Sequence, residues 1–103
     1  ATASVRGGSG FAAFSSAKFA LRSLSQSMAR ELGPQGIHVA HFIIDGAIDT
    51  AFIKENFPDV YALKEKDGIL QPNAIADAYW FVHTQEKNAW THELDLRPYM
   101  EKF

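Results

Sequence analysis

Residues 29–50 read ARELGPQGIHVAHFIIDGAIDT, and this stretch decides the predicted fold. The GPQG segment at 33–36 contains the glycines and the proline that end helices. Residues 37–44 are mostly apolar and β-branched, which predicts a strand buried on both faces. Residues 45–50 then form a turn at the carboxyl end of that strand. A helix, a buried strand and a turn in this order are typical of an α/β domain.

Two histidines lie in this predicted strand. His38 and His41 are three residues apart, so a regular strand directs their side chains to opposite faces. The pair therefore cannot ligate one metal ion without a bulge, and we predict structural histidines with hydrogen-bonded partners rather than a metal site.

The segment before the strand predicts a long helix over residues 11–32. Its apolar residues recur at steps of three or four, which marks one buried stripe. The stripe consists of Phe14, Ala17, Leu21, Leu24, Met28 and Leu32. Abundant Ala and Ser also allow close approach of another element, including a second subunit. Residues 1–10 are predicted as a loop, because their glycines lack the spacing of a phosphate-binding motif and no strand precedes them.

The segment after the turn predicts a return to the sheet. Residues 51–71 suggest one or two short helices and a mobile loop, and residues 72–88 a second helix capped at Pro72 and Asn73. Its apolar side is formed by Ile75, Ala78, Tyr79 and Val82, widened by Trp80 and Phe81. Residues 90–96 alternate as a second strand, which gives a parallel βαβ unit. Glu93, Asp95 and Arg97 share one face, where a solvated charge ladder is favoured over a catalytic carboxylate pair.

Composition restricts the class of protein. The 103 residues are 47% apolar with a net charge of −2, as in a single globular domain. The absence of cysteine excludes disulfides and thiolate metal sites in these residues. The sequence has no cluster of basic residues, which argues against nucleic acid as a partner. It also has no apolar run that approaches the roughly 20 residues of a membrane span. Without an apolar leader at residues 1–6, we expect a cytoplasmic protein that acts on a small molecule.

Three motifs, taken in order, resemble the C-terminal half of the short-chain dehydrogenase/reductase family. Residues 14–18 (FSSAK) are similar to the family's Tyr-x-x-x-Lys motif, with Phe in place of Tyr. Residues 45–50 (DGAIDT) resemble its Pro-Gly-x-Val/Ile-x-Thr turn, and residues 91–96 occupy its last strand. The resemblance implies an α/β fold with a partial doubly wound, Rossmann-like parallel sheet that has only the last two strands and their helices.

The same resemblance implies that residues 1–103 are the C-terminal part of a single domain. The N-terminal cofactor-binding half, with its glycine-rich phosphate loop, is absent from them. Two strands alone leave a sheet edge and an apolar face uncovered, so we expect a longer intact protein or a partner. The family also implies a homo-oligomer, a dimer or tetramer built by the long helix and the last helix and strand. The candidate interface residues are Tyr79, Trp80, Phe81 and Trp90.

The family also implies roles for individual positions. A tyrosine acts as the acid/base, a lysine lowers its pKa and binds the nicotinamide ribose, and a serine thirteen residues before the tyrosine stabilises the substrate oxygen. Here Phe14 stands at the Tyr position, Ala1 at the Ser position, and Lys18 is retained. The cofactor, NAD or NADP, would be bound by Lys18 and by the turn. The turn residues concerned are Asp45, Gly46, Ile48 and Thr50.

Two functions therefore remain open. The first is a divergent NAD(P)-dependent oxidoreductase acting on a small carbonyl or alcohol. The alternative is a catalytically inactive dinucleotide-binding or assembly module. A positioned acid/base contributes roughly 10²–10⁴ in rate, so losing the phenol weighs against ordinary carbonyl reduction. The hydroxyls near this position belong to Thr2, Ser4, Ser15 and Ser16, and the nearest candidate bases are Asp45 and Asp49.

Overall fold

The computed structural model describes all residues from 1 to 103. Its helices and strands follow the predicted order. They are α1 (Ala12–Leu32), β1 (His41–Ile44), α2 (Ala51–Asn56), α3 (Pro58–Tyr61), α4 (Pro72–His83) and β2 (Glu93–Leu96). Short 3₁₀ turns lie at Thr2–Ser4, Gly33–Gln35, Ala62–Lys66 and Lys87–Ala89. No helix is both long enough and apolar enough to cross a membrane.

The two strands form a parallel sheet, and this confirms the predicted βαβ unit and the α/β class. His41 lies opposite Glu93 and Ile44 lies opposite Leu96, so both strands end at the same edge. The segments that follow the two strands therefore meet at that edge. This places the turn at residues 45–50 next to the C-terminal residues.

Both strands are shorter than predicted, because only the last four residues of each predicted run pair in the sheet. Before β1, the His38 ring stacks on Trp90 with the ring centroids 4.5 Å apart. His38 Nε2 also lies 2.7 Å from the carbonyl oxygen of Thr91. These side-chain contacts take the place of strand pairing at the amino ends of β1 and β2.

Helix α4 starts at Pro72 as predicted, but it has no side-chain cap and ends at His83 rather than at residue 88. The Thr84 hydroxyl donates to the carbonyls of Trp80 and Phe81, at 3.0 and 3.2 Å. Side-chain bonds of this kind compete with continuation of a helix. The predicted end was therefore too late by about one turn and a half of helix.

The predicted core stripe of α1 is exposed in this chain except at Leu32, which is half-buried, so that prediction is wrong for residues 1–103. Phe14 is 48% exposed, Leu21 49% and Leu24 56%. The buried residue of the helix is instead Ser15, whose hydroxyl donates to the carbonyls of Ala3 and Arg6, at 3.0 and 3.1 Å. The two-strand sheet is too small to cover the apolar stripe. The apolar core is formed by Ile43, Ile69, Leu70 and Val82.

An ion-pair network connects α1 to the sheet. Arg22 donates through Nε and Nη2 to the two carboxylate oxygens of Glu93, both at 2.8 Å. His41 Nδ1 lies 3.1 Å from Glu93 Oε2. Strand pairing puts Glu93 beside His41, on the side that Arg22 of α1 reaches. Glu93 therefore contacts the helix rather than forming the predicted solvated ladder, and only the Arg97–Asp95 pair, at 2.8 Å, follows that prediction.

We expect Glu93 to make stability depend on acid pH. The hydrogen bond from Arg22 holds the pKa of Glu93 below its usual range. A lowered folded-state pKa means that the contribution is complete above the ordinary Glu pKa of about 4.3 and is lost as pH falls through the lower value. In urea unfolding of the full-length protein at pH 7 and at pH 3, Glu93→Gln should lose less stability on acidification than the wild type. Glu55→Gln, at an exposed carboxylate without an ion pair, should behave like the wild type, and equal acid sensitivity of all three would contradict the assignment.

Candidate functional site

A cleft of about 450 Å³ lies at the carboxyl end of the strands, where ligands bind in parallel α/β sheets. The cleft brings together three of the sequence-predicted positions with side chains from the N-terminal loop. Its lining includes Ala1, Phe14 and Asp45, together with Thr2, Arg6 and Phe11. The predicted Tyr position, Ser position and turn therefore meet at one cleft, although they lie far apart in sequence.

Helix α1 positions Phe14 and Lys18 one turn apart on the same side of the helix. Lys18 Nζ lies 5.6 Å from the centroid of the Phe14 ring. Every ion pair of the chain uses a cation other than Lys18. Lys18 lies beside the cleft rather than in its lining, and its ammonium group is available to an oxygen-rich ligand.

Three of the predicted hydroxyls are bonded or buried elsewhere and cannot replace a phenol at position 14, namely Ser15 and Ser16 of α1 and Ser4 before it. Ser15 donates to carbonyls of the N-terminal segment, and the residue is only 4% exposed. Ser16 donates to the carbonyl of Ala12 at 2.6 Å, within the helix. Ser4 is also buried, at 2% exposed. Thr2 is therefore the one of the four predicted hydroxyls that lines the cleft with Phe14.

Asp45 is nearly buried, at 5% exposed, and both of its carboxylate oxygens are engaged. Oδ1 accepts hydrogen bonds from the Thr2 hydroxyl at 2.6 Å and from the Thr2 backbone N–H at 3.2 Å. Oδ2 accepts from Arg97 Nη1 at 2.9 Å. Asp45 thus links the turn to the N-terminal segment and to the residue after β2. As a general base it would have to give up these contacts.

Arg97 is the partner that sequence reasoning missed at this site, because it was assigned to a surface ladder. The sequence does contain a signal for it. Asp45 directly follows β1 and Arg97 directly follows β2, and paired parallel strands end side by side. Opposite charges at those two positions therefore predict an ion pair at the edge of the sheet.

The geometry of the turn depends on Gly46. Its φ of 139° is a conformation that residues with a side chain rarely adopt. A Cβ atom at this position would also lie 2.8 Å from Cδ of Pro98. Gly46 therefore lets the C-terminal segment approach the turn closely, which keeps Arg97 within reach of Asp45.

The rest of the turn offers hydrogen-bonding groups that the protein leaves partly unused. Backbone bonds of 2.8 Å join Asp49 N–H to the Leu70 carbonyl and Leu70 N–H to the Ala47 carbonyl. The N–H groups of Ala47 and Ile48 donate to no backbone carbonyl. Thr50 Oγ1 accepts from the N–H of Ile53 at 3.3 Å and so caps α2, while its own hydroxyl hydrogen remains free to donate.

Asp49, the second candidate base, lies outside the lining of the cleft. Its Oδ2 forms an ion pair with Lys64 Nζ at 2.8 Å. The hydrogen bond from Lys64 lowers the pKa of Asp49, which makes this carboxylate a weaker base. Asp49 therefore anchors the segment after the turn rather than serving the cleft.

Comparisons with known proteins agree with this geometry. Residues 1–60 match the short chain dehydrogenase family model, a match that covers the N-terminal loop, the FSSAK helix and the turn. The crystal structure of a short-chain dehydrogenase from Rhodopseudomonas palustris is 50% identical, with a TM-score of 0.67. The alignment covers 95% of this chain and 35% of that one, so the chain spans about a third of its length. None of the curated proteins matches the chain. With the fold, the helix motif and the turn in agreement, the chain belongs to the short-chain dehydrogenase family of oxidoreductases.

Proposed function

We propose that these residues form the nicotinamide side of an NAD(P)-binding site in a short-chain dehydrogenase whose proton-transfer groups have been replaced. The observation that carries the proposal is Lys18, an unpaired cation next to Phe14, on the helix that borders the cleft. In this proposal residues 1–103 are the C-terminal part of one domain. The phosphate loop belongs to an N-terminal half outside this sequence.

The residues at the site fit a nicotinamide nucleotide. Lys18 can donate to the ribose hydroxyls, and Thr50 and the N–H groups of Ala47 and Ile48 can donate to the carboxamide or the phosphates. Asp45 and Gly46 contribute by fixing the turn, since both carboxylate oxygens of Asp45 already accept hydrogen bonds. When bound, the nucleotide supplies or accepts a hydride.

The substrate side of the site favours a small, partly apolar molecule. Phe11 and Phe14 supply apolar walls, and Thr2 and Arg6 supply polar groups. With Phe14 at the Tyr position and Ala1 at the Ser position, the site lacks both the phenol and the serine hydroxyl. This supports the alternative, a nucleotide-binding module with little dehydrogenase activity.

The role of Lys18 can be tested by titrating the full-length protein with NADH and NADPH and following nucleotide fluorescence. We expect Lys18→Met to weaken binding by about tenfold or more, because charge-assisted hydrogen bonds contribute about 1.5–3 kcal/mol. Lys87→Met, at an exposed lysine next to Gly36 and away from the cleft, should bind like the wild type. Equal affinities of all three proteins would refute the nucleotide site at Lys18.

We also propose that the exposed apolar faces are covered by the missing half of the domain or by further copies of the protein. Trp80 and Phe81 are 67% and 63% exposed on α4. Tyr79, in contrast, stacks on Phe42 with the ring centroids 3.7 Å apart, and Trp90 stacks on His38. Among the predicted interface residues, Trp80 and Phe81 are therefore the most exposed, followed by Tyr79 at 49%.

If α4 lies in an interface between copies of the protein, a negative charge on its exposed face should lower the mass of the oligomer. We expect Trp80→Glu to convert an oligomer of the full-length protein to smaller species in size-exclusion chromatography with light scattering, because a buried carboxylate disrupts an apolar interface. Lys54→Glu, on the exposed side of α2, serves as a control and should leave the mass unchanged. A monomeric wild-type protein would count against the assembly.

A further inference from the structure

The hydrogen bond between Thr2 and Asp45 has a fixed direction. A carboxylate held by Arg97 only accepts hydrogen bonds, so the 2.6 Å contact must use the hydroxyl hydrogen of Thr2. The backbone N–H of Thr2 donates to the same oxygen at 3.2 Å and holds the residue in that orientation. Because Asp45 is 5% exposed, water does not compete freely for these bonds.

Because its one hydrogen is used by Asp45, the Thr2 hydroxyl can only accept a further hydrogen bond. A hydroxyl has one hydrogen and two lone pairs, and donating to a carboxylate increases the electron density on its oxygen. Thr2 lines the cleft together with Phe14 and Ala1, the positions at which the Tyr and Ser hydroxyls are missing. Where those two hydroxyls would offer donors to a substrate oxygen, Thr2 offers an acceptor.

Resting on the proposed function, we infer that Thr2 Oγ1 accepts a hydrogen bond from the ligand and so makes the cleft selective for an alcohol over the matching ketone. Asp45 and Arg97 act as positioning residues, since they fix the orientation of the Thr2 hydroxyl and both carboxylate oxygens of Asp45 are already engaged. A carbonyl oxygen in the same place would face the lone pairs of Thr2 and receive no hydrogen bond from it, since the donors of the lining belong to other residues, Arg6 and Ser9. The ligand class is therefore a small molecule with a hydroxyl, or an equivalent N–H, next to an apolar group.

The test compares two probes of nearly equal size, 1-phenylethanol and acetophenone, by ligand-observed NMR titration of the full-length protein. Titrations are run without nucleotide and with ADP-ribose, which lacks the nicotinamide ring and cannot exchange hydride. We expect the wild type to bind the alcohol about tenfold more tightly, the factor that corresponds to one hydrogen bond of about 1.4 kcal/mol. Thr2→Val removes the hydroxyl while keeping the branched shape, and its alcohol-to-ketone ratio should fall to about one. Ser16→Ala, which removes a hydroxyl outside the cleft, should keep the wild-type ratio.

A second variant reverses the direction of the hydrogen bond. In Asp45→Asn, Arg97 has only donors and selects the amide oxygen, so the amide NH₂ faces Thr2 Oγ1 at the expense of the longer, 3.2 Å contact from the Thr2 backbone N–H. The Thr2 hydroxyl hydrogen is then released toward the cleft, and the preference should shift to the ketone. A purely structural role of Asp45 would lower the affinity for both probes equally and leave their ratio unchanged. The ratio also does not depend on the fraction of protein that is folded.

The outcomes separate this inference from the proposed function. The inference is overturned by the same alcohol preference in the wild type and Thr2→Val, by a ketone preference in the wild type, or by no binding of either probe. NADH and NADPH binding to the same samples is measured in parallel. If the nucleotides bind while the probe ratios fail, only the role of Thr2 is wrong; if no nucleotide binds either, the proposed function fails with it.

Discussion

Replacing Phe14 with tyrosine should raise carbonyl reduction by the full-length protein by about 10²-fold or more. A positioned general acid contributes roughly 10²–10⁴ in rate, equivalent to about 3–5 kcal/mol of barrier. The new hydroxyl would enter the cleft one helical turn from Lys18, whose ammonium group already lies 5.6 Å from the ring centroid. A cation at that distance favours the phenolate and brings the phenol pKa closer to neutral pH. The measurement is kcat/KM for a panel of small ketones and aldehydes with NADH and NADPH.

Two further variants test the mechanism of that gain. Phe14→Tyr combined with Lys18→Met should lose most of the increase, because the phenol keeps its place but loses the nearby charge. Adding Ala1→Ser to Phe14→Tyr should raise the rate again, since it restores a hydroxyl at the Ser position. If nucleotide binding is tight in the variants that keep Lys18 while the rate does not change, the binding-module alternative is the correct one.

Removing the charge of Arg97 should cost the full-length protein about 3 kcal/mol of unfolding free energy. Its guanidinium is the only cation paired with the nearly buried carboxylate of Asp45, at 2.9 Å. Breaking such a pair by removing one partner leaves a charge without compensation, which typically costs about 3–5 kcal/mol. We take the lower end because the Arg97 side chain is 15% exposed. Urea unfolding of Arg97→Met against the wild type measures the effect.

The double variant Asp45→Asn, Arg97→Met identifies the cause of that loss. It removes both charges and should recover a large part of the lost stability. Arg97 also packs 3.5 Å from the ring centroid of Phe103, and Phe103→Leu gauges that contribution separately. A double variant as unstable as Arg97→Met alone would show that packing, and not the unpaired carboxylate, is responsible.

The local elements of the fold could be predicted from sequence because their signals are local. The stop at residues 33–36, the apolar run of β1 and the proline at the start of α4 all lie within or beside the elements they define. The ends of α4 and of the strands were less predictable. They depend on single side-chain hydrogen bonds, such as that of Thr84, which compete with the backbone pattern.

The exposure of the α1 stripe could not be predicted from periodicity alone. An apolar stripe specifies which side of a helix is buried when a partner surface is present, but not whether these 103 residues contain that surface. In the candidate site, too, local motifs were predictable and contacts between distant segments were not. The FSSAK and DGAIDT motifs located Phe14, Lys18 and the turn, whereas the Thr2–Asp45–Arg97 contacts depend on three distant segments that meet only in the folded chain.

The backbone bonds between Asp49 and Leu70 and between Leu70 and Ala47 close the segment that carries α2 and α3 where it begins and ends. The segment with α2 and α3 therefore leaves the sheet and returns to it at the same place, beside the turn. Its sequence can change in length and character while the sheet and the turn keep their geometry. Replacement of this segment alone therefore offers a way to change the ligand selectivity of the fold while its sheet stays the same.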